Sequence, residues 1–221
     1  MRFIAIGDIH GCATEFEQLL ERLSPAKDDR LILLGDLINR GPDSPRVLEL
    51  ARRSGALALL GNHEARLRDY RRTKDISLIK KEDYDSLARL RATDWDYIEQ
   101  MKLSHYEKDI DTVFVHAGFL PGVAWQNQGA DILTRIQMID PHGTPRKRSE
   151  CDKGKFWADM WEGPPFVVYG HTPRPSVYKS KWAIGIDTGC VLGGHLTALI
   201  LPEKRFVQVS ALKSYHKAKN S

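Results

Sequence analysis

Short apolar runs, each closed by a glycine and a polar cluster, recur along the chain. Phe3–Ile6 leads into Gly7–Gly11 (GDIHG), Leu31–Leu34 into Gly35–Pro42 (GDLINRGP), and Leu57–Leu60 into Gly61–Glu64 (GNHE). Apolar runs of this length between turn residues read as buried strands. Helical periodicity lies between them. Thr14–Leu23 puts Phe16, Leu19, Leu20 and Leu23 on one face, and Thr14 with Glu17 has the pattern of a capping box. Val47–Arg53 is a second helix, with Gly55 beyond its end. Strands alternating with helices, each strand followed by a polar motif, predict an α/β chain with a parallel sheet.

The pattern changes over Ala65–Met101, which has no β-like run. Arg66, Arg68, Arg71, Arg72, Lys74, Lys80 and Lys81 crowd its first half, and Leu87, Leu90, Trp95 and Ile98 suggest short amphipathic helices. It reads as a helical insertion with a solvated face. The alternative is a lid that carries positive charge toward a phosphate, because the segment begins directly after His63. Strands then resume. Thr112–Val115 ends in His116–Gly118 (HAG), Phe166–Tyr169 in Gly170–Thr172 (GHT), and Ala183–Ile186 in Asp187–Cys190 (DTGC). Leu196–Leu201 and Phe206–Val209 read as a closing antiparallel pair. Trp157 and Trp161, four apart, are expected to pack against the core rather than stack on a base. The expected organisation is one domain over residues 1–212, with the insertion at about 65–101 and a basic, frayed tail over 213–221.

Composition narrows the class. A length of 221 residues suffices for a core without staples, and a net charge of +4 permits an anionic substrate. No stable nucleic-acid partner is expected. Cys12, Cys151 and Cys190 are too few and too scattered for a disulfide framework or a cysteine zinc site. Free thiols, a first strand with no leader before it, and no apolar run near the ~18 residues of a membrane span predict a cytoplasmic protein without a membrane partner.

The chemistry gathers at the strand ends. Asp8 and His10, two apart in extended chain, project the same way, and an oxygen beside a nitrogen donor suits a transition metal. The other strand ends add Asp36, Asn62, His63, His116 and His171. Ligand sites of open α/β sheets lie just beyond the carboxyl ends of the strands. So many ligand-type groups at one edge need a partner for their charge, and metal ions are the natural one.

GDIHG, GDLINRGP, GNHE, HAG and GHT, in this order, resemble the phosphoprotein-phosphatase-type (calcineurin-like) metallophosphoesterases. That family includes serine/threonine protein phosphatases and symmetrical diadenosine tetraphosphate hydrolases. The stretch DTGCVLGGHLTAL (187–199) resembles the last strand pair of bacterial members. The resemblance implies a four-layer α/β/β/α sandwich around two divalent metal ions, manganese first, with iron or zinc as alternatives. It implies Asp8 and His10 on one metal, Asp36 bridging both, and Asn62, His116 and His171 on the other. Arg40 would hold the phosphate, with Arg135 a candidate for the family's second arginine, and His63 would be the general acid.

One position departs from the family. Its phosphatases usually read GDxxDRG, where the second Asp charges and orients the GNHE histidine; here that position is Asn39. Asn39 is expected to orient His63 through its amide oxygen without adding charge, leaving His63 less often protonated. Such an enzyme should favour good leaving groups, phosphoanhydrides above phosphoserine. The expected function is metal-dependent hydrolysis of phosphate esters by an activated water, resembling a bacterial serine/threonine protein phosphatase. The alternatives are a symmetrical diadenosine tetraphosphate hydrolase and a non-catalytic scaffold of the same fold. The expected substrate is a phosphoprotein, a nucleotide or a dinucleoside polyphosphate.

Overall fold

The computed structural model describes residues 1–217. In the first strand, β1 (Phe3–Ile6), alternate side chains enter different apolar layers, and all four residues are buried. Such a strand has protein on both faces, which is why it reads as an unbroken apolar run.

The chain continues through α1 (Ala13–Leu23), β2 (Arg30–Leu33), α2 (Ser44–Arg53) and β3 (Leu57–Ala58). An insertion follows, with α3 (Asn62–Thr73), α4 (Tyr84–Arg89) and α5 (Ala92–Glu99), and with 3-10 turns at Ile76–Leu78 and Lys81–Asp83. Then come β4 (Ser104–Glu107), β5 (Thr112–Val115), α6 (Ala130–Arg135), β6 (Met138–Ile139), β7 (Pro145–Arg146), β8 (Lys155–Phe156) and α7 (Trp157–Met160). The last strands are β9 (Phe166–Tyr169), β10 (Tyr178–Lys179), β11 (Ala183–Gly185), β12 (His195–Leu201) and β13 (Arg205–Ser210).

Two five-stranded sheets form, in the orders β13-β12-β1-β2-β3 and β10-β11-β9-β5-β4, with a small sheet β7-β6-β8. The first three strands pair in parallel, as expected, and the β12–β13 hairpin adds antiparallel to β1. In the second sheet β5, β9 and β11 are parallel and the edge strands β4 and β10 antiparallel. Three apolar layers hold the stack. Phe3, Ala5, Ile32 and Leu199 of the first sheet meet Phe114, Val168 and Ile184 of the second. Ile4, Ile6 and Leu33 pack outward against Phe16, Leu19 and Val47 of α1 and α2. Val113, Val115 and Val167 pack outward against Leu133, Trp157 and Trp161. The sandwich is thus helix, sheet, sheet, helix, and both tryptophans lie in the core as expected.

Three local expectations need correction. The capping box at Thr14 does not form: α1 begins at Ala13, one residue earlier, because Cys12 and Ala13 already donate back to Ile9 and Gly11 in the turn leaving GDIHG. The second helix starts at Ser44, where the Asp43 side chain accepts from the Arg46 N–H at 3.3 Å and Pro45 occupies the first turn. Residues 213–217 are pinned rather than frayed. Buried Glu15 accepts from the Leu212 N–H and the Tyr215 hydroxyl, and Tyr215 and His216 both donate to the Val191 carbonyl. Residues 218–221 of that basic tail lie outside the described residues. Among the described residues no helix is long and apolar enough to cross a membrane.

Candidate metal centre

The carboxyl ends of parallel strands from both sheets converge on one point. Asp8 and His10 follow β1, Asp36 follows β2, Asn62 and His63 follow β3, His116 follows β5, and His171 follows β9. The turns carrying them are tight. His10, Asp36, Asn39, Arg40 and His171 all have positive φ, between 48° and 71°. Each such residue costs on the order of 1–3 kcal/mol and persists only where its surroundings fix it.

Glu64 supplies much of that fixing. Its buried carboxylate accepts from the backbone N–H groups of Asp36, Leu37, Ile38 and Gly61, at 2.7–3.2 Å. Burial and the Asp36 charge push its carboxyl up, and these backbone donors pull against them. Gly61 is required for close approach, since a Cβ there would sit 2.2 Å from the Asp36 Oδ1.

Asp36 is the shared element. Its Oδ2 lies 3.5 Å from His10 Nε2 and 4.0 Å from His63 Nε2, and its Oδ1 lies 3.5 Å from His116 Nε2. Donor atoms of His10, Asp36 and His63 lie within 4.8 Å of one another, and so do those of Asp36, His116 and His171. The Asn62 Oδ1 sits 3.2 Å from His116 Nε2, on that second side. Asp8 belongs to neither group; both its oxygens accept from the His171 N–H, at 3.0 and 3.1 Å.

The ring nitrogens are oriented by backbone carbonyls. His10 Nδ1 faces the Ile38 carbonyl at 3.1 Å and His116 Nδ1 the Leu34 carbonyl at 2.8 Å. A carbonyl only accepts, so each Nδ1 carries the proton and each Nε2 turns a lone pair inward. Burial lowers His10 and His116 to about 4, and burial with neighbouring His116 lowers His171 to about 3. These are neutral imidazoles at neutral pH. Burial, then Asp187 and Asp36, raise Asp8 well above the usual carboxylate range. Neutral imidazoles and crowded buried carboxylates together fit divalent cations.

His63 is held from behind by the insertion. Its Nδ1 faces the Asn39 Nδ2 at 3.0 Å and the Arg66 Nη2 at 3.3 Å. Both are donors, so Nδ1 accepts and the ring proton sits on Nε2. The expectation that Asn39 uses its amide oxygen is therefore reversed. The cause is Asp83, whose Oδ1 lies 2.7 Å from the same amide nitrogen and can only accept. The Asn39 oxygen is left buried without a partner. Arg66 grips Asp83 through Nε at 2.8 Å and Nη2 at 2.6 Å, and reaches Glu82 at 3.1 Å. Burial, then His10, Arg40 and Arg66, lower the His63 pKa well below 6.5.

The two arginines differ in placement. Arg40 sends Nη1 to His10 Nε2 at 3.1 Å and Nε to Glu82 at 3.4 Å, which puts its guanidinium at the centre's edge. The Arg135 guanidinium is half exposed and lies 3.5 Å from Asp131. Four residues near the centre had no assigned role in the sequence: Glu64, Glu82, Asp83 and Asp187. Glu64 and Asp187 lie inside the quoted motifs GNHE and DTGC. Glu82 and Asp83 carry no local signal, because the fold of the insertion alone brings them to His63.

Comparison with known proteins agrees with this geometry. The sequence profile of a family described as calcineurin-like phosphoesterase matches residues 1–198. An asymmetrical bis(5'-nucleosyl)-tetraphosphatase of Halalkalibacterium halodurans is 31% identical over 244 aligned residues, covering 95% of this chain and 94% of the relative. The enzyme of the same name from Oceanobacillus iheyensis is 29% identical and covers 97% and 94%. Among solved structures, one described as a proposed diadenosine tetraphosphatase superposes with a TM-score of 0.84 at 34% identity, covering 95% of this chain and 93% of that one. A serine/threonine protein phosphatase from Saccharomyces cerevisiae shares the fold, with a TM-score of 0.62 at 12% identity and coverage of 100% and 81%.

Two substitutions test the packing of this site by urea denaturation. Glu64→Gln places an amide NH₂ among four N–H donors and should destabilise the fold by about 1–3 kcal/mol; an unchanged midpoint would show that the carboxylate does not pin the loop. Asn39→Asp places a second buried carboxylate against Asp83 and should cost about 3–5 kcal/mol. The double variant Asn39→Asp/Asp83→Asn should recover most of that loss. Simple addition of the two single losses would mean that the side chains are not charge-coupled neighbours.

Proposed function

The chain belongs to the calcineurin-like phosphoesterase family, and from that premise we propose that it is a dinucleoside polyphosphate hydrolase dependent on two divalent ions, manganese first. The observation that carries this reading is the Asp36 carboxylate, which turns one oxygen toward His10 and the other toward His116. Asp8, His10 and Asp36 would hold one ion. Asp36, Asn62, His116 and His171 would hold the other. Bound there, two divalent ions supply an activated water and polarise the phosphoryl oxygens.

The remaining work falls to side chains. Arg40 at the rim presents a guanidinium fork that matches phosphate oxygens. His63 carries its proton on Nε2, the nitrogen directed toward Asp36 and Glu82, and can offer that N–H as a hydrogen bond to a leaving oxygen. A water oxygen bonds to one phosphorus, the bond from that phosphorus to its bridging oxygen breaks, and the bridging oxygen departs with the rest of the nucleotide.

The low pKa of His63 bears on the substrate. A serine alkoxide needs a proton as its bond breaks, whereas a nucleoside triphosphate is a weak base and needs it less. A neutral histidine suits the second. The relatives at 29% and 31% identity are named for asymmetrical cleavage, so we adopt cleavage to a nucleoside monophosphate and a triphosphate over the symmetrical alternative. The three unpaired cysteines support placement in a reducing cytoplasm.

The test is product analysis by anion exchange. With manganese, diadenosine tetraphosphate should give equal amounts of ATP and AMP, and chelator should abolish turnover until manganese is restored. ADP as the sole product would establish symmetrical cleavage instead. Undiminished turnover under exhaustive chelation would refute the metal assignment.

A further inference from the structure

Beside the metal centre lies a groove of about 700 Å³, within the range of small-molecule sites. Three segments that are distant in sequence wall it: the Asn39–Pro42 loop, the stretch of the insertion that holds Lys80, Lys81 and Glu82, and His216 from the pinned C-terminal segment. It opens onto the centre through two residues already described. Arg40 lies 3.1 Å from His10 Nε2, and Glu82 lies 3.6 Å from His63 Nε2. The inner end of the groove is therefore on the His63 side, where the leaving oxygen meets the His63 N–H.

The charge of the groove is unevenly committed. Glu82 is engaged by Arg40 and Arg66, and Asp85 by Arg89. Among the described residues the ammonium groups of Lys80 and Lys81 take part in no ion pair, and they leave excess positive charge on one wall. Pro42 and His216 add flat, weakly polar surface on the others. Cations near the scissile bond with flat surface beyond them suit a polyphosphate carrying a nucleoside.

We infer that this groove binds the leaving half of the substrate, a nucleoside triphosphate, with Lys80 and Lys81 on its phosphates and the nucleoside toward Pro42 and His216. The inference rests on the dinucleoside polyphosphate reading above and deepens it. A groove that takes a whole triphosphate half leaves a single phosphate and its nucleoside on the other side of the metal centre. Groove length, rather than the metals, then fixes the asymmetry of the cut.

The experiment compares manganese-loaded wild type with Lys80→Ala/Lys81→Ala. The probe is the non-hydrolysable β,γ-methylene analogue of ATP, with binding read by calorimetry. The dissociation constant should rise at least about tenfold in the variant. On diadenosine tetraphosphate, kcat/KM should fall by a similar factor, mainly through KM. Turnover of an aryl phosphate, too small to reach the lysines, reports whether the variant is folded and metal-loaded, and should change less than about twofold. Equal affinity of both proteins for the analogue, or an equal loss on both substrates, overturns the groove assignment. If wild type cleaves the aryl phosphate but not the dinucleotide, the substrate reading falls. The calorimetric comparison still decides the groove.

Discussion

A carboxylate shared between two groups of imidazoles, deep at the junction of two sheets, is the constraint on which the rest depends. Asp36 is 2% exposed. Burying its charge is costly without compensation. Strands β1, β2 and β3 of one sheet and β5 and β9 of the other end at the same place, so donors from four other loops surround it. The imidazoles are neutral, and backbone carbonyls turn the lone pairs of His10 and His116 inward. Cationic metal is the compensation that this arrangement leaves to be supplied.

Holding such a centre requires backbone in unfavourable conformations, and the structure assigns that task to residues outside the ligand set. Glu64 ties the Asp36 loop to the start of α3 through four N–H groups. The same α3 carries Arg66, which fixes Asp83 behind Asn39 and His63. The insertion keeps the expected solvated face, with Arg71, Arg72 and Lys74 exposed, while its inner side reaches the centre. Arg66 is buried in an ion pair and Arg71 lies over Trp95; of the cations that crowd its first half, Lys80 and Lys81 line the groove beside Arg40.

Much of this was legible in the sequence because strand ends mark themselves. An apolar run followed by a polar motif located each turn that brings a residue to the centre, from Asp8 to His171. The family resemblance supplied the four-layer arrangement, which the three apolar layers bear out. Local periodicity could not supply contacts between distant segments. Nothing near Asp83 signals that it meets Asn39, 44 residues away. Nothing near Glu15 signals that it meets Tyr215. The edge strand β4 (Ser104–Glu107, SHYE) carries no such mark, because it pairs on one side only and shows no apolar alternation. The orientation of the Asn39 amide was also beyond reach, since it is set by that distant carboxylate.

Anomalous diffraction at the manganese edge, from crystals grown with manganese, would examine the shared carboxylate itself. Two peaks about 3.5–4 Å apart are expected, one on each side of Asp36, the first against His10 and the second against His116. A single peak, or two peaks that do not share Asp36, would contradict a dinuclear centre built on this residue.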